Sequence, residues 1–391
     1  MLNYDNLLNR ALIDVKPSGI RKFFDVANTM EDVISLGVGE PDFLTPWRVR
    51  REAIRTLESG RTRYTANRGL QDLREEIAAY MLRKYELSYD PASEILVTVG
   101  GSEAIDVAIR AIVNPGDEVI VPQPSFVCYE PIARMAGATP VILETRAEND
   151  FKITPEELRA LISDKTKALV LPYPCNPTGA IMQRRDLEAL AEVLRGTDIL
   201  VISDEIYAEL TYGSERHVSP AAIPGMRERT LVINGFSKTY SMTGWRLGYA
   251  CGPQPILQQI TKLHQYAIMC APTTSQFAAV EALRHCDEEV AAMVEEYDVR
   301  RRIIVKGFND IGLTCREPRG AFYAFPCIRS SGMTSDVFCE KLLEAKHVAI
   351  VPGTAFGRGG EGFVRASYCY STDHIHEALR RIREFLQEIR A

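Results

Sequence analysis

The chain has 391 residues and a formal charge of −6, with 46% hydrophobic and 25% charged residues. It exceeds one ordinary core and predicts two or three domains of roughly 150 residues each. The acidic balance, with a pI near 5.7, offers no basic face for nucleic acid, and no apolar run approaches the ~20 residues that span a bilayer.

The first segment, Met1–Lys16, mixes Asp5, Asn9, Arg10 and Asp14 among its leucines, which is not the pattern of a secretory signal. From Glu94 to Cys251 short apolar strands alternate with helical stretches. Strands are predicted at Glu94–Val99, Glu118–Val121, Val141–Leu143, Ala168–Leu171, Ile199–Ser203, Thr230–Ile233 and Leu247–Cys251. These runs are continuously apolar, as befits strands buried on both faces of a mainly parallel sheet. Helices are predicted at Glu103–Val113, Thr154–Ile162 and Arg185–Leu194; Thr154-Pro155-Glu156-Glu157 combines a capping threonine, a first-turn proline and a glutamate at the third position. The expected large α/β domain covers 45–285. A helix over Glu288–Phe308 then leads into a smaller α+β unit. Its predicted strands are Gly320–Ile328, Val348–Val351 and Phe363–Tyr368, with helices from Thr334 or Ser335 to Ala345 and from Asp373 to Ile389. Residues 286–391, with 1–44, form the expected small domain. Nine cysteines lie scattered without a Cys-x-x-Cys pair, which predicts reduced thiols in a cytosolic protein.

Ligands of open α/β sheets bind beyond the carboxyl ends of the strands. After the first strand comes Gly100-Gly101-Ser102, where two glycines and a helix start favour a phosphate; a tight turn with a serine cap is the plainer reading. After the second comes Phe126, which could stack on a flat ring or be an ordinary core aromatic. Pro172-Tyr173-Pro174-Cys175-Asn176-Pro177-Thr178-Gly179 is denser in rigid residues than a turn requires, and Asn176 is held extended by Pro177. Asp204 and Tyr207 follow four apolar residues; a carboxylate buried there needs a cation or several donors, unless it caps a helix. Ser237-Lys238 stands at the end of an apolar strand with Arg246 eight residues on. That is the layout of a pyridoxal-phosphate anchor, in which the amine forms a Schiff base while hydroxyl and guanidinium hold the phosphate. Arg365, inside an apolar strand, must find an anion, either a structural carboxylate or that of a substrate. Two motifs are set aside. Gly357-Arg358-Gly359-Gly360-Glu361-Gly362 matches G-x-G-x-x-G but does not sit between a strand and a helix, and is expected as a flexible loop near the site's mouth. His374 and His376 share no helix face and no metal cluster, and are expected on the surface.

Taken together the chain resembles a class I aminotransferase of pyridoxal-phosphate fold type I, in the branch of prokaryotic aspartate and aromatic aminotransferases. The likeness runs over nearly the whole chain. It is carried by Ser35–Phe43, Tyr64-Thr65 with Gly69-Leu70, Asn176–Gly179, Ser203–Tyr207, Ser237-Lys238 with Met242–Arg246, Gly320–Tyr323 and Val351–Gly353.

The resemblance implies a seven-stranded, mainly parallel sheet flanked by helices, plus a smaller α+β domain. It implies pyridoxal 5'-phosphate as cofactor, with Lys238 as Schiff-base lysine and proton shuttle and Asp204 paired with the ring nitrogen. Tyr207 and Asn176 would bond the ring oxygen, Phe126 would stack on the ring, and Gly101, Ser102, Ser237 and Arg246 would cradle the phosphate. Arg365 would grip the substrate α-carboxylate with help from Asn176, and Gly39 would present backbone to the substrate. Tyr64 would reach the phosphate of a neighbouring subunit, which implies a homodimer with shared sites. The implied reaction moves the amino group of an L-amino acid, aspartate first and aromatic second, to a 2-oxo acid such as 2-oxoglutarate, in a ping-pong cycle. No metal, membrane or nucleic-acid partner is implied, and the expected location is cytoplasmic. The rivals are another fold type I chemistry, such as a C–S lyase, a decarboxylase or a cyclopropane-forming synthase, and a non-catalytic regulator. Arg21, Tyr64, His264 and Tyr266 are candidates for reading the donor side chain.

Overall fold

The apolar runs pair into one seven-stranded sheet. The computed structural model describes residues 2, 4, 7–13, 15–17, 19 and 30–389, so Arg21 lies outside the described residues. The strands are β1 (Ile95–Thr98), β2 (Glu118–Gln123), β3 (Thr139–Glu144), β4 (Thr166–Leu171), β5 (Leu200–Asp204), β6 (Thr230–Gly235) and β7 (Gly248–Cys251). Their order across the sheet is β1-β7-β6-β5-β4-β2-β3. Only β7 runs antiparallel to its neighbours; the remaining pairs are parallel.

Every residue of β5, β6 and β7 is buried. Alternate side chains enter opposite cores, as a period of two requires. Leu200 and Ile202 pack with helices Gly100–Ile112, Tyr129–Met135 and Gln254–Ala267, whereas Val201 packs with Pro155–Leu161 and Arg184–Leu194. Each fully buried aliphatic side chain contributes about 1.5–3 kcal/mol. This double burial makes the strands readable as unbroken apolar runs. β3, at the edge, is only half-buried. The Thr154 capping box is present, with its hydroxyl accepting from Glu157 N–H and the Glu157 carboxylate accepting from Thr154 N–H. All nine cysteines are free thiols.

The remaining strands are short. Ile34–Ser35 pairs in parallel with Val348–Ala349, while Val351–Pro352, Val364–Ser367 and Tyr323–Ala324 form a three-stranded antiparallel sheet. The 24-residue helix Asp287–Asp310 packs against the closing helix Thr372–Glu388. Two expectations need correction here. The strand predicted at Gly320–Ile328 contracts to Tyr323–Ala324, because Ala321 turns to φ +57° and leaves the extended region. The strand predicted at Val348–Val351 divides between two sheets. His374 is half-buried, stacked on Tyr370 at 4.8 Å with Nε2 3.1 Å from the Ser35 carbonyl; His376 is exposed.

This topology gathers the chemistry. β1, β2, β4, β5 and β6 are mutually parallel, so their carboxyl ends open at one edge of the sheet. The segments that follow them carry Gly100–Ser102, Phe126, Pro172–Asn176, Asp204–Tyr207 and Ser237-Lys238. Arg246 reaches the same edge from the start of β7.

Candidate active site

At one end of this edge the helix Gly100–Ile112 begins directly after β1, and its first amides are free to meet an anion. Gly100 has φ +77°, and a Cβ there would stand 2.6 Å from Nη2 of Arg246. Gly248 is equally constrained, since its Cβ would come within 2.6 Å of the Gly100 carbonyl carbon and 2.7 Å of the Gly101 nitrogen. The two glycines therefore let β7, the helix start and the Arg246 guanidinium close together. Arg246, at φ +51°, donates from Nη1 to the Thr243 carbonyl at 2.9 Å. Ser102 and Ser237 place hydroxyls beside it, giving a set of donors that suits a phosphate dianion.

In the middle stands Asp204, 7% exposed. Its Oδ2 accepts from the Tyr129 hydroxyl at 2.6 Å and its Oδ1 from Ile206 N–H at 3.2 Å. Burial raises its pKa, and the Tyr129 hydrogen bond opposes that rise. A carboxylate held by two donors in such a place retains acceptor capacity for a cation. Phe126 lies edge-on to Tyr129 at 6.1 Å. Tyr207 and Tyr323 share a hydrogen bond of 2.8 Å.

Across the opening is Arg365, buried between the rings of Tyr323 and Phe356 at 4.5 and 4.8 Å. Nη1 donates to Asn176 Oδ1 at 2.9 Å and Nη2 donates to the Gly37 carbonyl, while Nε is buried without a partner. Neither of these partners is a carboxylate. The Asn176 side chain thus serves the arginine with its oxygen, in keeping with the expected assistance to Arg365, and its amide nitrogen is left for another acceptor.

Lys238 reaches between these two ends. Nζ donates to the Gly39 carbonyl at 2.7 Å. Its pKa falls to about 8, first through burial; Arg365 and Arg246 lower it further against the opposing pull of Cys369 and Glu40. A Cβ on Gly39 would collide with the Tyr323 hydroxyl, so the close approach of this backbone requires glycine.

Gly39, Gly101, Ser102, Phe126, Asn176, Asp204, Tyr207, Ser237, Lys238, Arg246 and Arg365 line one cavity of about 270 Å³. That lies near the lower end of small-molecule sites, which start at roughly 300 Å³. Tyr64 does not line it and is 79% exposed. The residues fit pyridoxal phosphate on the structure's own terms: a cradle that a Cβ would fill, a buried carboxylate with free lone pairs, and an amine of lowered pKa between them.

A family model described as aminotransferase class I and II matches residues 31–382. The chain belongs to the class I and II aminotransferases. This aminotransferase is 53% identical over 374 residues to the putative aminotransferase YugH of Bacillus subtilis, covering 96% of this chain and 97% of that one. It is 44% identical to an aspartate aminotransferase of Pyrococcus abyssi, covering 96% and 97%. Among solved structures, the aromatic aminotransferase of Pyrococcus horikoshii superposes with a TM-score of 0.90 at 42% identity, covering 94% of this chain and 99% of that one. The enzyme is a pyridoxal-phosphate-dependent aminotransferase of fold type I.

Sequence reasoning missed Tyr129 and Tyr323, which bond Asp204 and Tyr207. Tyr129 stands three residues after Phe126, at the start of the helix Tyr129–Met135, and Tyr323 lies within the Gly320–Tyr323 motif, but neither signal names a partner 75 or 116 residues away. His264 is fully buried and bonded to Glu103, and Tyr266 is 87% exposed; neither lines the cavity. The glycine loop after Phe356 forms 3-10 turns, pinned by Arg358 N–H donating to Gln123 Oε1 at 3.2 Å. No helix is long and apolar enough to cross a membrane, and no cluster of three metal-ligating side chains occurs, both among the described residues.

Proposed function

We propose that the enzyme transfers the amino group of an L-amino acid, aspartate first and aromatic donors second, to 2-oxoglutarate in a ping-pong cycle. The observation that carries this reading is Arg365. A buried guanidinium with Nε unpartnered and no carboxylate partner among the described residues suits the bidentate grip of a substrate α-carboxylate. Gly101, Ser102, Ser237 and Arg246 would hold the cofactor phosphate, Phe126 would cover the ring, and Tyr207 and Asn176 would meet the ring oxygen. Bound pyridoxal phosphate supplies an aldehyde carbon for amines and a protonated ring that takes up the electron pair left on Cα.

Asp204, ionised, keeps the ring nitrogen protonated. Lys238 lies between Asp204 and Arg365 and moves the proton from Cα. It must be neutral to do so, and a pKa of about 8 leaves about a tenth of it as free amine at pH 7. The 2.7 Å hydrogen bond from Lys238 Nζ to the Gly39 carbonyl holds the amine at the cavity where the cofactor would bind.

The expected large domain (45–285) carries the cradle. The small domain (1–44 with 286–391) carries Gly39 and Arg365, so the substrate would bind between them. Leu44, Trp47, Tyr64 and Tyr266 are exposed apolar side chains, and Asn67 ties the segments of Tyr64 and Tyr266 together by donating to the Met269 carbonyl. Covering such a patch in a homodimer would bring Tyr64 to the neighbouring site. Nine free thiols agree with a cytoplasmic location.

The test is a panel of L-amino acids with 2-oxoglutarate, followed by glutamate formation. Aspartate should be fastest and an aromatic donor second. Release of ammonia or thiol without glutamate would replace the reading with a lyase.

A further inference from the structure

The helix that starts at Gly100 carries its own brace. Its fourth residue, Glu103, turns back so that Oε2 accepts from Val99 N–H at 2.5 Å. That N–H belongs to the residue immediately before the cradle, and the bond fixes the turn from which Gly101 and Ser102 face the cavity. The second oxygen, Oε1, meets Nδ1 of His264 at 2.6 Å. His264 belongs to another helix, Gln254–Ala267, which packs along the first.

Three features separate this contact from an ordinary surface pair. His264 is 0% exposed. Its Nε2 is buried without a partner among the described residues, so the ring's hydrogen bonding there goes to Glu103. The helix ends three residues later, and the His264 carbonyl accepts from Ile268 N–H at 2.8 Å and Met269 N–H at 3.0 Å. The imidazole thus links the cradle to the segment bearing the exposed Tyr266, Ile268 and Met269.

We propose that His264 is a positioning residue for the phosphate of the cofactor, acting through the Glu103 carboxylate on the turn at Val99–Ser102. It touches neither substrate nor cofactor. A buried polar atom left unsatisfied is costly, and His264 leaves one in place of a simple apolar packing residue. Nδ1–H donates to the Glu103 carboxylate, which can only accept. With its second oxygen occupied, Glu103 cannot rotate away from Val99 N–H. Without His264 the carboxylate is free to turn, and the amides of Gly101 and Ser102 lose their fixed aim. The inference rests on the reading of those residues as the phosphate cradle.

The experiment compares wild type with H264F, H264N and E103Q, each as full-length protein. Asparagine places an amide N–H close to the position of Nδ1, whereas phenylalanine keeps the ring and loses the donor. Glutamine at 103 cannot accept from both Val99 and His264. The readouts are the dissociation constant for pyridoxal phosphate and the phosphorus NMR shift of the bound phosphate, which a role confined to fold stability would leave unmoved. H264F and E103Q are expected to weaken the cofactor at least tenfold and to move the phosphorus resonance, with H264N within threefold of wild type. Wild-type affinity and resonance in H264F overturn the proposal, as does H264N matching H264F. If H264F does not fold, E103Q against H264N decides by the same criteria. R246A is the control for the cradle: should it leave affinity and resonance unchanged, the cradle assignment itself fails. A response to R246A without a response to H264F or E103Q overturns the positioning role alone.

Discussion

Replacing Tyr129 by phenylalanine removes one oxygen atom and with it the 2.6 Å hydrogen bond to Asp204 Oδ2. Asp204 then keeps only the 3.2 Å bond from Ile206 N–H. Burial already holds the Asp204 pKa above its ordinary value, and Tyr129 is the strongest of the influences lowering it. A hydrogen bond to a charged group contributes about 1.5–3 kcal/mol. Losing that stabilisation of the ionised form raises the Asp204 pKa further. The sign follows from the ionised form being the active one. Activity falls as pH drops through the Asp204 pKa, so raising that pKa moves the acid limb towards neutrality. The assay is kcat/KM for one donor from about pH 5 to about pH 9, with the cofactor saturating, in wild type and Y129F. The expected result is an acid limb displaced to higher pH with the alkaline plateau retained. An acid limb that stays in place, or moves to lower pH, refutes the electrostatic role of Asp204 and its tyrosine.

Two further substitutions probe the other ends of the cavity. R365A should raise KM for every donor by about 30-fold or more, because truncating a buried charged partner costs ~2 kcal/mol or more; steady-state kinetics on aspartate, an aromatic amino acid and alanine check this, and a loss confined to one donor contradicts it. G248A puts a Cβ 2.6 Å from the Gly100 carbonyl carbon. It should destabilise the protein by about 1–3 kcal/mol and weaken the cofactor, read by thermal melting and by equilibrium dialysis; a wild-type Tm and affinity contradict the close approach.

The large sheet was legible because its strands are buried on both faces. A run such as Leu200-Val201-Ile202 has no polar side to confuse with a helix, and the residue after it must stand at a strand end. The cavity residues were legible for the same reason, since parallel strands present their carboxyl ends together. The small sheets were less so. Val348–Val351 reads as one apolar run, yet Val348–Ala349 joins Ile34–Ser35 and Val351–Pro352 joins Val364–Arg365, partners more than three hundred residues apart in one case and adjacent hairpin-like in the other. Pairing at such distance leaves no local mark. Tyr129 and Tyr323 were hidden likewise, because a buried tyrosine looks the same in sequence whether its hydroxyl meets a buried aspartate or a backbone carbonyl. His264 was drawn towards the substrate by its residue type, whereas Gln254–Ala267 turns it inward to Glu103.

The central claim is that Lys238 carries the cofactor, and one measurement addresses it directly. The purified protein is incubated with pyridoxal phosphate, reduced with borohydride, digested and mapped by mass spectrometry. The account predicts a single modified peptide with the pyridoxyl group on Lys238, and none in K238A. Modification at another lysine in the wild type, or full turnover in K238A, contradicts it.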